Sequence, residues 1–504
     1  MKKLVGAVIC HPHEFFSLVI LLSVSATLRL WRIRDYLVFL GDEGRDMIVV
    51  KNFILYHNIP FLGPVTSIGN MYLGPFYYYL ITPALILSRL DPVGPSILVA
   101  SLGVATVFLL FTLGRKVVSF WPAFLISFLY AVSPIVVTFS RSSWNPNVVP
   151  FFTLATIYSL IRAIEKPRSW WIVLVGLCMG ILVQLHYLTL LLVFPLGLTL
   201  LIYGRNIPIV KYILAIVASH ITLLPFILFN LKHQFVIFRS ILLFVTSSKE
   251  TNVGKFDPFF TIEELVKRFA QDFFSGGQQI LYVIFIVLFI ASIGLAVERI
   301  RRNAEKEKTL VVIVIWLLTG LAGLSFFHGI IYDYYLGFLF PAAFLILAIF
   351  LERFKKYKII FAALVLIFAS AIITNLSLSH LKRAPNRVLS QTEEISQFVA
   401  DQAEGRPYNF ALIAGRNADF AYRYFLELKN KQPTPLEAMV TDQLIVVCED
   451  EVCKPLGHPI WEIAGFGQAD IQGEWELRGG VKVFKLVHHP GAPNMSGKPV
   501  VKGI

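Results

Sequence analysis

Residues 71–88 read MYLGPFYYYLITPALILS, an uncharged run of the length that could cross a membrane. A span needs roughly 20 predominantly apolar residues to cover a hydrocarbon core of about 30 Å. This run holds Gly74, Pro75 and Pro83, and Tyr77, Tyr78 and Tyr79 form the kind of aromatic cluster that settles at the membrane–water boundary. Whether it crosses fixes the sidedness of everything after it. Eleven firmer uncharged runs start near Phe15, Gly94, Ser119, Val148, Trp170, Leu188, Tyr212, Gln279, Thr309, Tyr334 and Ile359. Basic residues collect in cytoplasmic loops, so charge arbitrates. If 71–88 does not cross, one side carries sixteen basic residues: Arg115, Lys116, Arg162, Lys166, Arg168, Arg205, Lys211, Arg299, Arg301, Arg302, Lys306, Lys308, Arg353, Lys355, Lys356 and Lys358. The opposite loops up to the last span carry seven: Arg141, Lys232, Arg239, Lys249, Lys255, Lys267 and Arg268. If it crosses, the sixteen face outward. The expectation is therefore a juxtamembrane or re-entrant helix at 71–88 within a long first external loop, 29–93. The N-terminus is then cytoplasmic and the C-terminal part extracytoplasmic, as in a multi-pass protein of the plasma membrane.

Composition agrees with that class. The chain has 504 residues, 56% hydrophobic and 15% charged, with a mean hydropathy of +0.69. A soluble domain carries about 25% charged residues, so much of this surface faces lipid. The net charge of +13 is mostly the loop asymmetry just described and gives no reason to expect a nucleic-acid partner. Four cysteines exclude a disulfide-built scaffold. The first apolar segment is followed by Arg29, Trp31, Arg32 and Arg34 where a signal peptide needs small residues, so it reads as an uncleaved span. The expected fold is an all-α polytopic membrane domain over 1–378, with about eleven spans plus juxtamembrane helices. A small extracytoplasmic α/β domain follows over 379–487: helices near 391–403 and 419–429, and strands near 410–414, 443–448, 475–477 and 481–487. Residues 488–504, with three prolines, are expected as a disordered tail. Cys448 and Cys453 read equally well as a disulfide across a short loop or as two thiols.

The spans hold few ionisable groups, His220 and His186 among them, which disfavours a proton- or ion-coupled transporter. The external loops carry the polar residues. The densest cluster is 41–46, GDEGRD, just outside the first span. Asp42, Glu43 and Asp46 with Arg45 can supply a general base beside a phosphate ligand; a helix N-cap at Asp42 in a solvated loop is the plainer reading. In a second loop, 140–147, Arg141 suits an anionic headgroup and Trp144 a sugar face, whereas Asn145, Pro146 and Asn147 also read as a simple turn. Gln184, His186 and Tyr187 lie between two spans, where the histidine is more often structural than catalytic. His328, Tyr332, Asp333, Tyr334 and Tyr335 form a fourth group. All four are expected on one face of the membrane.

These features together resemble the GT-C glycosyltransferases, and within them the branch of dolichyl-phosphate-mannose protein mannosyltransferases and lipid A aminoarabinose transferases. The likeness rests on the uncleaved first span, Asp42-Glu43 opening a long loop that contains Gly74-Pro75-Phe76-Tyr77-Tyr78-Tyr79, and the turn at Gly114-Arg115-Lys116. Ser133-Pro134, Ser140-Arg141 and the late segment 334–343, YYLGFLFPAA, extend it. The resemblance covers roughly residues 10–350. It implies transfer of a sugar from a polyprenyl-phosphate carrier to a lipid, glycan or protein acceptor on the outer face, with inversion. Asp42 would be the base, Glu43 its assistant, and Arg45 and Arg141 the cations that receive the leaving phosphate. Asn145 and Asn147 would hydrogen-bond sugar hydroxyls. Many relatives carry an aspartate where this chain has Asn147, which puts a two-carboxylate or metal-assisted reaction in question and leaves a divalent metal as the sole candidate cofactor. Two other classes fit the same composition: a lipid-linked substrate transporter or flippase, and a non-catalytic envelope scaffold.

Overall fold

The computed structural model describes residues 12–66, 71–247, 257–327, 329–415, 417–493 and 495–500; His328 lies outside them. The chain divides into two compact units, Met1–Ile33 with Asn58–Ala384, and Arg34–His57 with Pro385–Ile504.

The described part of the first unit is helical. Among the described residues eight helices are long and apolar enough to cross a membrane: Pro12–Leu30, Val93–Gly114, Asn145–Glu165, Tyr187–Asn206, Ile209–Lys232, Gln279–Arg302, Lys308–Ser325 and Lys358–Ser377. The remaining three uncharged runs give shorter helices, Phe120–Val132, Trp171–Leu185 and Phe340–Phe354. Their shortness has local causes. Pro134 forces Ser133 out of the helical region, to φ −58° and ψ 121°, so one run splits into Phe120–Val132 and Pro134–Phe139. The run beginning near Tyr334 opens as a 3₁₀ turn, Asp333–Phe338, before its α-helix starts. The run at 71–88 yields the 12-residue helix Phe76–Leu87, roughly 18 Å long at 1.5 Å per residue. That falls well short of the hydrocarbon core. Small residues let neighbouring helices approach closely: a Cβ on Gly176 would lie 2.0 Å from the Ala215 carbonyl oxygen, and one on Gly180 2.4 Å from that of Ser219.

The second unit is built on a four-stranded sheet of order β1-β2-β4-β3, with β1 Asn409–Ile413, β2 Gln443–Cys448, β3 Ala469–Glu476 and β4 Lys482–His488. β1 and β2 are parallel, joined through the Phe420–Leu428 helix; β4 runs antiparallel to both β2 and β3. Every residue of β2 is buried, as expected of a strand covered on both faces. Ile445 and Val447 pack with Ile395, Val399 and Tyr422 on one side. Leu444 and Val446 pack with Leu436, Ile463 and Phe466 on the other. Cys448 and Cys453 are joined by a disulfide. The segment expected as a disordered tail is held as far as it is described: Gly497 donates to Val440, and Val500 to Leu436, through backbone hydrogen bonds, while Met495 and Val500 pack on the sheet's apolar face. The Gly41–Tyr56 helix, placed by sequence in the loop of the membrane domain, belongs to this unit and packs on Phe420–Leu428.

Candidate active site

The sequence-selected residues fall in both units. Asp42, Glu43 and Arg45 lie in the second; Arg141, Trp144, Asn145, Asn147, His186, Tyr187, Asp333 and Tyr334 lie in the first.

In the second unit the cluster occupies the first turn of Gly41–Tyr56. Asp42 is not the N-cap. The helix starts at Gly41, Leu40 stands at the cap position, and the Leu40 amide donates to Glu43 Oε2 at 3.1 Å. This reach-back satisfies one of the amide donors that a helix start leaves over. The three carboxylates then differ sharply. Asp46 is fully buried and takes two hydrogen bonds from Arg45, at 3.1 and 2.9 Å. Glu43 is 7% exposed, and burial pushes its carboxyl up to about 7, against the opposing pull of backbone hydrogen bonds. The Asp42 side chain is 50% exposed, with Oδ1 2.7 Å from Arg45 Nη1. One guanidinium thus spans a buried and an open carboxylate on one helix face.

In the first unit Tyr334 is a hub. Its ring meets Trp144 at 4.6 Å between centroids, Tyr335 at 4.7 Å and His186 at 5.9 Å, all edge-on. His186 connects Trp171–Leu185 to the Tyr187–Leu192 turn and caps that turn by accepting from the Leu188 amide at 3.3 Å. One ring nitrogen is thus committed to a cap. Tyr187 donates its hydroxyl to the Tyr72 carbonyl, and Asp333 pairs with Arg268 at 3.5 Å. Asn145 donates to the Leu185 carbonyl at 2.7 Å, and Asn147 to the Ser142 carbonyl at 2.9 Å. The loop is thus a hydrogen-bonded turn, as its plainer reading expects.

Arg141 is 5% exposed; its Nη1 donates to the Leu28 carbonyl at 2.7 Å and sits 2.7 Å from His380 Nε2. Burial, then the Arg141 charge, hold the His380 imidazole down to about 4. Nearby lies a residue that sequence reading treated only as the flank of a span. Arg29 is fully buried, with Nη1 bonded to Ser25 and to the Ala131 carbonyl at 3.0 Å, while Nε and Nη2 have no hydrogen-bond partner. It lines a cavity of about 20 Å³ with Gly103, Tyr130, Ser140, Asn147 and Tyr334. Asn147 Oδ1 is likewise buried without a partner. Gly103 makes the room: a Cβ there would lie 3.0 Å from Arg29 Nε. The sequence signal was thin, an arginine one helical turn after Ser25 at the end of an apolar run.

No group of three or more His, Cys, Asp or Glu among the described residues could hold a metal ion. Asp42 and Asp46 both pair with Arg45, so their donor set does not fit a resident divalent cation.

A family profile described as dolichyl-phosphate-mannose-protein mannosyltransferase matches residues 74–229. No curated protein sequence matches the chain. Among solved structures, ArnT from Cupriavidus metallidurans bound to undecaprenyl phosphate superposes with a TM-score of 0.63 at 10% identity, covering 93% of this chain and 97% of that one. The archaeal oligosaccharyltransferase AglB from Archaeoglobus fulgidus, in complex with an inhibitory peptide and a dolichol-phosphate, gives 0.52 at 15% identity, covering 86% and 69%. The arabinofuranosyltransferase AftD from Mycobacteria gives 0.50 at 14% identity, covering 94% and 41%. In fold, and in sequence over 74–229, the chain resembles the protein mannosyltransferase and ArnT branch of the GT-C membrane glycosyltransferases.

Proposed function

We propose that the chain is a membrane glycosyltransferase that moves a monosaccharide from a polyprenyl-phosphate carrier to an acceptor hydroxyl on the extracytoplasmic face, with inversion. The observation that carries the reading is the sorting of the 41–46 carboxylates. Glu43 and Asp46 are buried, and Asp42 is half open with Arg45 holding one of its oxygens. A general base must come within hydrogen-bond reach of the proton it removes, and within this cluster Asp42 alone meets that condition. Asp42 takes the acceptor's proton as the hydroxyl oxygen attacks the anomeric carbon. The bond from that carbon to the phosphate oxygen breaks, and the polyprenyl phosphate leaves with the bonding pair. Developing negative charge on that phosphate calls for cations; Arg45 and Arg141 are assigned that role, and Arg29 joins them because two of its donors are unspent. Trp144, Asn145, Asn147 and Tyr334 are assigned to the sugar. His186, Tyr187 and Asp333 complete the substrate-binding set, each held in place by a protein partner.

The test is transfer by the purified full chain in lipid nanodiscs. A panel of labelled undecaprenyl-phosphate monosaccharides serves as donor, and a total membrane extract serves as acceptor. Asp42→Asn should abolish incorporation of label while leaving melting and membrane insertion unchanged. Undiminished incorporation by that variant sinks the assignment of the base. Movement of the labelled carrier across vesicles without glycosidic bond formation favours the flippase instead.

A further inference from the structure

The first turn of Gly41–Tyr56 is fastened from within its own unit by side chains nearly four hundred residues later. The Gly41 amide, a donor with no partner inside its helix, donates to Asn417 Oδ1 at 2.9 Å. The same oxygen accepts from the Ala418 amide at 2.9 Å. The Asn417 amide nitrogen donates to both oxygens of Glu449 at 3.0 Å. That fixes which way the amide faces, with its oxygen toward Gly41. Glu449 is held in turn by the Tyr422 hydroxyl at 2.6 Å, and its own amide donates to the Ile413 carbonyl at 2.9 Å. It directly follows Cys448, inside the loop closed by the Cys448–Cys453 disulfide. Beneath this relay the helices touch through their backbones: a Cβ on Gly41 would lie 2.6 Å from that of Ala418, and one on Gly44 2.3 Å from the Ala421 amide nitrogen.

We propose that Asn417 and Glu449 are positioning residues that set the place of Asp42: Glu449 orients the Asn417 amide, Asn417 holds the Gly41 peptide, and Asp42 is the next residue. This rests on the reading of Asp42 as the base. Neither residue touches the reacting atoms. Their effect arises because a displacement of about 1 Å at a catalytic group can cost on the order of a hundredfold in rate. Ordinary interface packing would make Asn417 matter for stability alone and would be blind to the direction of its hydrogen bonds.

The experiment exploits that direction. Asn417→Asp keeps the acceptor for Gly41 but sets a second carboxylate against Glu449. Adding Glu449→Gln restores a donor facing the introduced carboxylate and keeps an acceptor for Tyr422. In the full chain in nanodiscs, hydrogen exchange of the peptide spanning 38–46 should quicken about tenfold in Asn417→Asp and return to the wild-type rate in the double variant, with peptides from 279–302 unchanged. With the panel of undecaprenyl-phosphate monosaccharides as probes, kcat should fall at least tenfold at unaltered KM and recover with the exchange. The proposal is overturned if exchange does not respond to Asn417→Asp, if the double variant stays as loose as the single, or if exchange quickens without loss of kcat. Failure of the functional reading looks different: Asp42→Asn then retains transfer while the exchange results report on the fastening unaltered.

Discussion

Arg45 Nη1 lies 2.7 Å from Asp42 Oδ1, on the next turn of one helix, while Nη2 of the same guanidinium lies 2.9 Å from the buried Asp46. The two contacts predict opposite kinds of damage from one substitution. Removing one partner of a buried ion pair costs about 3–5 kcal/mol, whereas a half-exposed pair contributes about 0–1 kcal/mol. Arg45→Met should therefore destabilise the unit by about 3 kcal/mol, nearly all of it through Asp46. The double variant Arg45→Met/Asp46→Leu should regain that stability yet remain slow in transfer, because Asp42 still lacks its guide. Thermal unfolding beside transfer rates separates the effects; recovery of both together would make Arg45 purely structural.

Glu43 predicts a pH dependence with a definite sign. Its carboxyl titrates near 7 in the folded chain and in the ordinary glutamate range when unfolded. Between those values the folded state keeps a proton that the unfolded state has lost. Its contribution is fully present below the unfolded value and disappears as pH rises through about 7, a change of about 3 kcal/mol. Glu43→Gln keeps the acceptor for the Leu40 amide without ionising. The gain in melting temperature from Glu43→Gln should be larger at pH 8 than at pH 5; an equal gain at both would show that Glu43 is not the titrating group.

Gly44 sets two effects of opposite sign against each other. Alanine is the better helix former by about 1 kcal/mol, so an exposed Gly44→Ala would stabilise. Here the added Cβ would lie 2.3–2.5 Å from the backbone of Phe420 and Ala421, with no flexible side chain to give way. Overpacking costs about 1–3 kcal/mol, and backbone sits at the costly end, so the net change should be destabilising by about 1–2 kcal/mol. A melting temperature raised by Gly44→Ala would refute the close contact.

What could be read from sequence was what neighbouring residues encode. Each of the eleven firm apolar runs opens a helix, because hydrophobic continuity is a local property. The run QLIVVC forms β2 for the same reason, buried on both faces. Helix length was less legible where one proline or a 3₁₀ turn consumed part of a run, as at Pro134 and Asp333–Phe338. The cluster 41–46 stood out by charge, yet nothing local distinguishes Asp42, half exposed, from Asp46, fully buried one turn further along the same helix face. The tie from Asn417 to Gly41 joins residues 376 positions apart, and the close approach beside it sets Gly41 and Gly44 against Ala418 and Ala421, residue types that carry no pattern of their own. Arg29 ends an apolar run, where a basic residue is ordinarily a flank in contact with headgroups, so its full burial has no local signal.

Arg29 supplies the remaining prediction. A fully buried guanidinium with Nε and Nη2 unpartnered is a poor stabiliser, because desolvating it costs several kcal/mol that only three hydrogen bonds from Nη1 offset. Methionine has comparable length and no charge to bury. If Arg29 serves packing alone, Arg29→Met should leave both stability and transfer near their starting values. If its spare donors serve the phosphate, stability should hold or rise while transfer falls by about a hundredfold, the scale seen when one preorganised donor to a developing oxyanion is removed. We expect the second outcome. Arg29→Lys should not rescue, since a single ammonium on a shorter reach cannot bond Ser25 and Ala131 and still present free donors to the cavity. Transfer assays on the two variants, paired with their melting curves, decide it: full activity in Arg29→Met would return Arg29 to the role of a flank.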